Sequence, residues 1–283
     1  MKTNKIDTLK ERLKQSSKYV KSILKAQEIP EYAVIFGTGL SYETLKQIDN
    51  KIEIPHNKIP HLRSPIIKSH EGKMIYSEIN NTPILIMSGR THYYEGQDIH
   101  DVVYPIHLLK ELGIEKVIIT SSVGGINNDL KQGDLMLVED HINLTSINPL
   151  IGLNDSLGKR FLPCTDIYDK DLIQQAEKIS NENGFNINKG TMFFLPGPSY
   201  ETPAEFEAIK ILGGDTIGWS TVPEALVAHY RNMKVLAINC ITDSLNFKKE
   251  TSLEEIIETA NISSKNLYKI ISDLIKHHDN TYK

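Results

Sequence analysis

The sequence predicts an α/β fold: a single domain built on a central twisted, mixed β-sheet flanked by helices. Three observations carry it. Short apolar runs rich in β-branched residues alternate along the chain with segments of helical spacing. The runs end in polar clusters, several of them glycine-bearing, where open α/β sheets place their ligands. No Ser/Gly-rich or Pro-rich linker divides the 283 residues, so 1–283 reads as one domain.

Residues 1–28 carry an amphipathic helical pattern without the apolar centre of a signal peptide. "YAVIF" (32–36) is apolar throughout and ends at Gly37, as a buried strand does. "KMIYSEI" and "TPILIM" (73–79 and 82–87) are joined by "NN" and predict a hairpin. Residues 99–113 predict a helix closed by Gly113, with Pro105 bending it. Strands are expected at 116–121 and 134–140, and a helix at 171–184 stopped by Gly184. "GTMFFL" (190–195) is a strand. After it, Thr202, Pro203 and Glu205 spell the N-cap, N1 and N3 of a capping box. A short strand then precedes a helix from about Val222, and "KVLAINCI" (234–241) is the last strand. Over 252–278, Leu253, Ile256, Ile257, Ala260, Leu267, Ile270, Ile271 and Leu274 recur at helical spacing, which predicts a face docked on the sheet.

Composition narrows the function. A formal net charge of -4 argues against nonspecific nucleic-acid or anionic-membrane binding. No run reaches the ~18 apolar residues of a membrane span. Cys164 and Cys240 form no metal-type pair, and a reduced, cytoplasmic setting fits. The histidines lack His-x-x-x-His spacing with a nearby acid, and the serines lack a Gly-x-Ser-x-Gly elbow. Neither a metal nor a serine nucleophile is expected.

The loops carry the chemistry. "GTGL" (37–40) is either a tight turn or a backbone that approaches an anion, with Thr38 offering a hydroxyl. Arg90 and His92 lie two apart, so in an extended segment they share one side and can meet an oxyanion. Glu95 is placed to orient either. "TSSVGG" and "GWSTVPE" add Ser122 and Ser220; Ser220 is either an anion contact or the helix N-cap. Thr38, Arg90, His92, Ser122 and Ser220 together suit a phosphate. Tyr200 and Glu201 offer a stacking face beside a carboxylate. Asp243, at the mouth of an apolar strand, needs a partner.

Taken together, "GTGL", "GRTHYYEG", "GGINNDLKQGDLMLVEDHINL", "NPL", "RFLPCTDIYD", "GPSYETPAE" and "STVPE" resemble the trimeric purine nucleoside phosphorylase family, which includes methylthioadenosine phosphorylase. The resemblance implies a partly barrel-like mixed sheet, a homotrimer, and reversible phosphorolysis of purine (deoxy)ribonucleosides to free base and pentose 1-phosphate. It implies no cofactor, inorganic phosphate being a co-substrate. By motif, Thr38, His70, Arg90, His92, Ser122 and Ser220 would hold phosphate. Tyr94 and Trp219 would face the sugar, with Phe161 covering it from the neighbouring subunit. Tyr200, Glu201, Ile217 and Asp243 would enclose the purine. His92, Glu95 and Asp243 are the candidates for catalytic work. Expected partners are a purine nucleoside and phosphate, not nucleic acid or membrane.

Six positions depart from the family's patterns. Phosphorylases of inosine and guanosine usually place Asn where Asp243 stands, whereas those of methylthioadenosine have Asp there. The latter lack Glu201, which suits an N1–H. They also carry a second Asp two residues on, where this chain has Leu245. An ionised Asp243 favours a 6-amino group, because it can only accept hydrogen bonds. Leu253 stands where many members place a His against the 5′-hydroxyl, and Trp219 replaces a smaller Met. Ser69 stands in place of a usual Gly, and Ser121 in place of a common Asn. A broad purine nucleoside phosphorylase, a methylthioadenosine-preferring one and a non-catalytic nucleoside binder remain as readings.

Overall fold

The computed structural model describes residues 4–25, 27–67, 71–152, 157–244 and 252–278. Helix α1 (Asn4–Leu24) buries Leu13, Val20 and Leu24. Its buried Ser16 hydroxyl lies 2.6 Å from the Tyr104 hydroxyl, so that polar pair is satisfied within the core. Strand β1 (Tyr32–Phe36) is buried at every residue, as its unbroken apolar run requires. Short helix α2 (Tyr42–Gln47) and strand β2 (Ile52–Pro55) lead to the hairpin β3 (Lys73–Ile79) and β4 (Thr82–Ser88). Asn80 and Asn81, at φ 54° and 62°, give the hairpin the left-handed turn residues that match strand twist.

The helix expected over 99–113 is two helices. α3 (Ile99–Val102) is capped by Asp98, and α4 (Tyr104–Leu112) comes next with Val103 as the joint. Pro105 lies in the first turn of α4, where its missing N–H costs nothing, so it starts a helix rather than bending one. Gly113, at φ 111°, closes α4.

Strand β5 (Lys116–Gly125) runs four residues further than expected and takes in all of "TSSVGG". Strands β6 (Leu135–Ile142), β7 (Asn188–Phe194) and β8 (Thr216–Gly218) and helices α5 (Lys170–Glu182), α6 (Pro203–Ile211) and α7 (Val222–Tyr230) keep the predicted order. The α6 capping box is present: the Thr202 hydroxyl accepts from Glu205 N at 3.3 Å, and Glu205 Oε2 accepts from Thr202 N at 2.7 Å. The last strand, β9 (Lys234–Ser244), extends through Thr242 and Asp243.

The sheet order is β2-β3-β4-β1-β5-β8-β7-β6-β9, with β9 also pairing β5. That last pairing closes β5, β8, β7, β6 and β9 into a barrel, and the remaining strands extend from β5 as an open wing. β1 pairs β4 and β5 in parallel, whereas β8 meets β5 and β6 meets β9 antiparallel, so the sheet is mixed. Along β5–β9 the register jumps: Val123 faces Ile241, but Gly124 faces Asp243. Thr242 is thus an extra residue in β9, a β-bulge.

Helix α8 (Leu253–His278) buries Ala260, Leu267, Ile270, Ile271, Leu274 and Ile275 essentially completely. Its first turn does not dock as the periodicity suggested. Leu253 is 47% exposed, and Leu253 and Ile256 overhang a cleft at the end of the sheet. Among the described residues, no helix is long and apolar enough to cross a membrane.

Candidate active site

The cleft lies beyond the C-terminal ends of β1 and β5, between β8, β9 and the start of α8. Its floor depends on two close backbone approaches. A Cβ on Gly37 would come within 2.9 Å of Ser121 Cα and of the Thr120 carbonyl, so only glycine lets the end of β1 lie against β5. The Thr120 hydroxyl accepts from Gly37 N at 3.1 Å and donates to the Ile35 carbonyl at 3.1 Å. Ser122 Oγ donates to the Thr38 carbonyl at 2.8 Å. "GTGL" is therefore both a turn, with Leu40 N bonded to the Gly37 carbonyl, and a wall of the cleft.

Thr38, Ser122, Ser220 and His92 are among its lining residues. His92 is buried. Burial lowers its pKa, as does Arg90, and its hydrogen bond to Glu95 only partly offsets this. Glu95 sits behind it and accepts from His92 N at 2.7 Å, from His92 Nδ1 at 3.2 Å, and from Ile66 N at 2.7 Å. Burial works to raise the Glu95 pKa, but those hydrogen bonds outweigh it and hold the carboxyl below its ordinary value. An ionised Glu95 can only accept, so Nδ1 carries the proton of the neutral ring and Nε2 is its acceptor atom.

Arg90 differs from the expectation. It does not line the cleft; it lies behind it, 3% exposed. Its Nη1 meets Glu224 Oε2 at 2.6 Å and its Nη2 donates to the Thr120 carbonyl, while the buried Nε finds no acceptor. Its environment is a buried ion pair, which "GRTHYYEG" alone does not reveal. Glu224 was missed, although Thr-x-x-Glu over 221–224 carries the capping-box spacing. The N-cap of α7 is Thr221 rather than Ser220, because Thr221 is the residue whose amide reaches the Glu224 carboxylate, at 3.3 Å.

Beside Thr38, Ser122, Ser220 and His92 the lining is aromatic and acidic. Tyr94 stacks on His92 with ring centroids 4.8 Å apart and meets Trp219 edge-on at 5.5 Å; Tyr200 meets Trp219 at 5.1 Å. A Cβ on Gly197 would fall within 2.8 Å of the Trp219 ring, so the large indole depends on that glycine. Glu201, Ile217 and Asp243 complete the wall. Glu201 is 8% exposed, and its buried Oε1 has no hydrogen-bond partner. Burial raises its pKa, with the Glu205 and Asp243 charges adding to the shift; its own backbone amide and the Trp219 indole counter in part. Both carboxylates thus share one cleft, an arrangement that wants N–H donors between them.

Val123, Gly124, Gly218, Thr242 and Ile256 also line the cleft and were not anticipated. Thr242 and Asp243 are consecutive, and strict strand alternation would send one of them away; the bulge is what lets both face inward. Phe161 is 90% exposed and does not line the cleft of its own chain. His70, Ser69 and Leu245 lie outside the described residues. Among the described residues no group of three His, Cys, Asp or Glu side chains is arranged to hold a metal.

A barrel-based α/β fold whose cleft combines hydroxyls and an imidazole with aromatic rings and two carboxylates is that of a nucleoside-cleaving transferase. The chain belongs to the phosphorylase superfamily, whose family model matches residues 31–276. Within it, the chain groups with the purine nucleoside phosphorylases, which are pentosyltransferases. It is 35% identical to purine nucleoside phosphorylase 1 of Geobacillus stearothermophilus over 94% of this chain and 97% of that one. It is 34% identical to purine nucleoside phosphorylase 1 of Bacillus subtilis over 96% of this chain and 100% of that one. Among solved structures, it superposes on Schistosoma mansoni purine nucleoside phosphorylase in complex with adenosine with a TM-score of 0.88. That match has 30% identity and covers 96% of this chain and 98% of that one.

Proposed function

We propose that this chain catalyses reversible phosphorolysis of purine nucleosides and accepts both 6-oxo and 6-amino bases. The observation that carries the second part is the pairing of Glu201 with Asp243 in one cleft. Glu201 suits the N1–H and 2-amino hydrogens of guanine; Asp243 suits a 6-amino group. The Schistosoma mansoni relative, solved with adenosine, is in keeping with a 6-aminopurine in such a cleft.

Phosphate is taken to lie at the Thr38, His92, Ser122 and Ser220 end, with Arg90 held just behind and His70 assigned by motif alone. A neutral His92 with its proton on Nδ1 offers Nε2 to the P–OH of hydrogen phosphate. The glycosidic bond breaks with positive charge developing on the sugar. A phosphate fixed beneath the ring stabilises that charge and then bonds to C1′, while the bonding pair leaves with the purine. Tyr94 and Trp219 hold the sugar. Asp243 faces the N7 and position-6 edge and accepts from a 6-amino group of the base. No cofactor is required beyond phosphate as co-substrate. We assign the enzyme to purine salvage in the cytoplasm and to a homotrimer in which the exposed Phe161 covers the sugar of a neighbouring subunit.

A second reading, preference for 5′-methylthioadenosine, is favoured by one observation: Leu253 and Ile256 present apolar groups to the cleft. The deciding measurement is phosphate-dependent base release from inosine, guanosine, xanthosine, adenosine and methylthioadenosine. Turnover of inosine, guanosine and adenosine within a few tens of fold of one another supports the broad reading. Methylthioadenosine far ahead of the rest establishes the second. Tight nucleoside binding without pentose 1-phosphate would mean a binding protein and end both.

Guanosine turnover should depend on pH through Glu201. Glu201 must be ionised to accept from guanine, and its pKa is raised, chiefly by burial. As pH falls through that raised value the acceptor is lost, so kcat/KM for guanosine declines at a pH above the ordinary glutamate range. In Glu201→Gln this acid limb should vanish; its persistence there would remove Glu201 from the base site.

A further inference from the structure

Thr221 has φ 66° and ψ -57°, and Val222 N donates to the Ser220 carbonyl at 2.7 Å. An i to i+2 hydrogen bond around a residue with these angles is the rare form of γ-turn, which is strained. For a β-branched residue such a φ is a true outlier. It persists only where the surroundings over-determine it. Here they do so from two sides. Glu224 Oε2 accepts from Thr221 N at 3.3 Å while meeting Arg90 Nη1 at 2.6 Å. Across the turn, Ser121 Oγ is hydrogen-bonded to Thr221 Oγ1 and lies 3.1 Å from Ser220 Oγ. Thr221 is fully buried and Glu224 is 3% exposed, whereas Ser220, one residue before the strained centre, lines the cleft.

We propose that Glu224 and Ser121 are positioning residues for the anion end of the cleft, bracing Thr221 in its left-handed turn so that Ser220 is presented to phosphate. The inference rests on the phosphorolysis reading for the identity of the anion. Neither residue contacts the nucleoside in this scheme. Glu224 also ties the guanidinium of Arg90 to the same turn, so one carboxylate sets two of the groups assigned to phosphate.

The test separates the two substrates. Glu224→Gln keeps an acceptor but loses the charge that holds Arg90, and Ser121→Ala removes the opposite brace while leaving the buried ion pair intact. In each, KM for phosphate should rise, by about tenfold or more in Glu224→Gln and about threefold or more in Ser121→Ala, on the scale that small misplacements of positioning groups cost. KM for inosine should stay within about twofold, since no nucleoside contact is removed. In a Thr221→Gly background, where positive φ carries no Cβ penalty and the Thr221 hydroxyl is gone, Ser121→Ala should raise KM for phosphate less than it does in the parent, because only its contact with Ser220 Oγ is left to lose; an undiminished rise there would overturn the bracing through Thr221. KM for phosphate within about twofold of the parent in both folded single variants overturns the proposal, as do equal rises in both KM values. If Glu224→Gln does not fold, Ser121→Ala decides. If the parent releases no base in phosphate, the phosphorolysis reading fails by itself. Calorimetric titration of inorganic phosphate into the parent and Ser121→Ala then still decides the bracing role: weaker binding in the variant supports it, and equal or absent binding in both ends it.

Discussion

Replacing Arg90 by Ala is expected to lower the stability of the fold by about 3–5 kcal/mol, because it leaves the Glu224 carboxylate buried without its cation. Both partners are 3% exposed, so water cannot take over the lost interaction. The Thr120 carbonyl loses a donor in the same step. Arg90→Lys keeps the charge but reaches with a single ammonium where the fork now meets Glu224 and Thr120 at once, so it should recover only part of the loss. Denaturant unfolding measures this directly. The same variants bear on phosphorolysis. Phosphate-dependent turnover of inosine, guanosine and adenosine by folded Arg90→Ala at parental rates would remove Arg90 from the phosphate assignment. A loss of efficiency confined to a rise in KM for phosphate would keep it there.

The second large effect is expected in base preference. Asp243→Asn converts an acceptor into a group that can also donate to N7 and to a 6-oxo oxygen. The ratio of kcat/KM for inosine over adenosine should rise about tenfold to a hundredfold, the consequence of roughly 1–3 kcal/mol for one exchanged hydrogen bond. A second readout comes from the neighbour. The Asp243 charge contributes to raising the Glu201 pKa, so its removal should move the acid limb of the guanosine profile to lower pH. An unchanged inosine-to-adenosine ratio would refute the role given to Asp243, whatever the limb does.

How far such a site is legible from the chain alone depends on the range of the interactions that build it. Strand β1, the β3–β4 hairpin and the α6 capping box were readable because each is specified within a few residues by an apolar run, an Asn pair or a Thr-Pro-x-Glu spacing. The cleft-lining hydroxyls, aromatics and carboxylates were readable as a set because they cluster in a few short motifs. The features that escaped were set by distant partners. "TSSVGG" looks like a loop until β8 and β9 pair with it and make it strand. Arg90 looks like an open anion contact until Glu224, 134 residues away, takes one arm of its guanidinium. Ser220 looks like the helix cap until the strained turn at Thr221 takes the cap one residue further on, with α7 starting at Val222 as expected. The first turn of α8 continues an apolar period yet has no sheet beneath it, so Leu253 and Ile256 face the cleft instead.

The bulge at Thr242 makes the base-facing end of β9 a matter of counting. Deleting that one residue would restore regular alternation while Gly124 still faced Asp243, so the later positions of the strand would keep their faces. The cleft would lose the Thr242 side chain and keep the Asp243 carboxylate. Conversely, the extra residue uncouples the tip of β9 from the closed barrel beneath it, so side chains beyond the bulge can be exchanged while Ile238, Cys240 and Ile241 keep their packing. The wall of the cleft can therefore gain or lose a side chain at a strand end without disturbing the barrel that carries it.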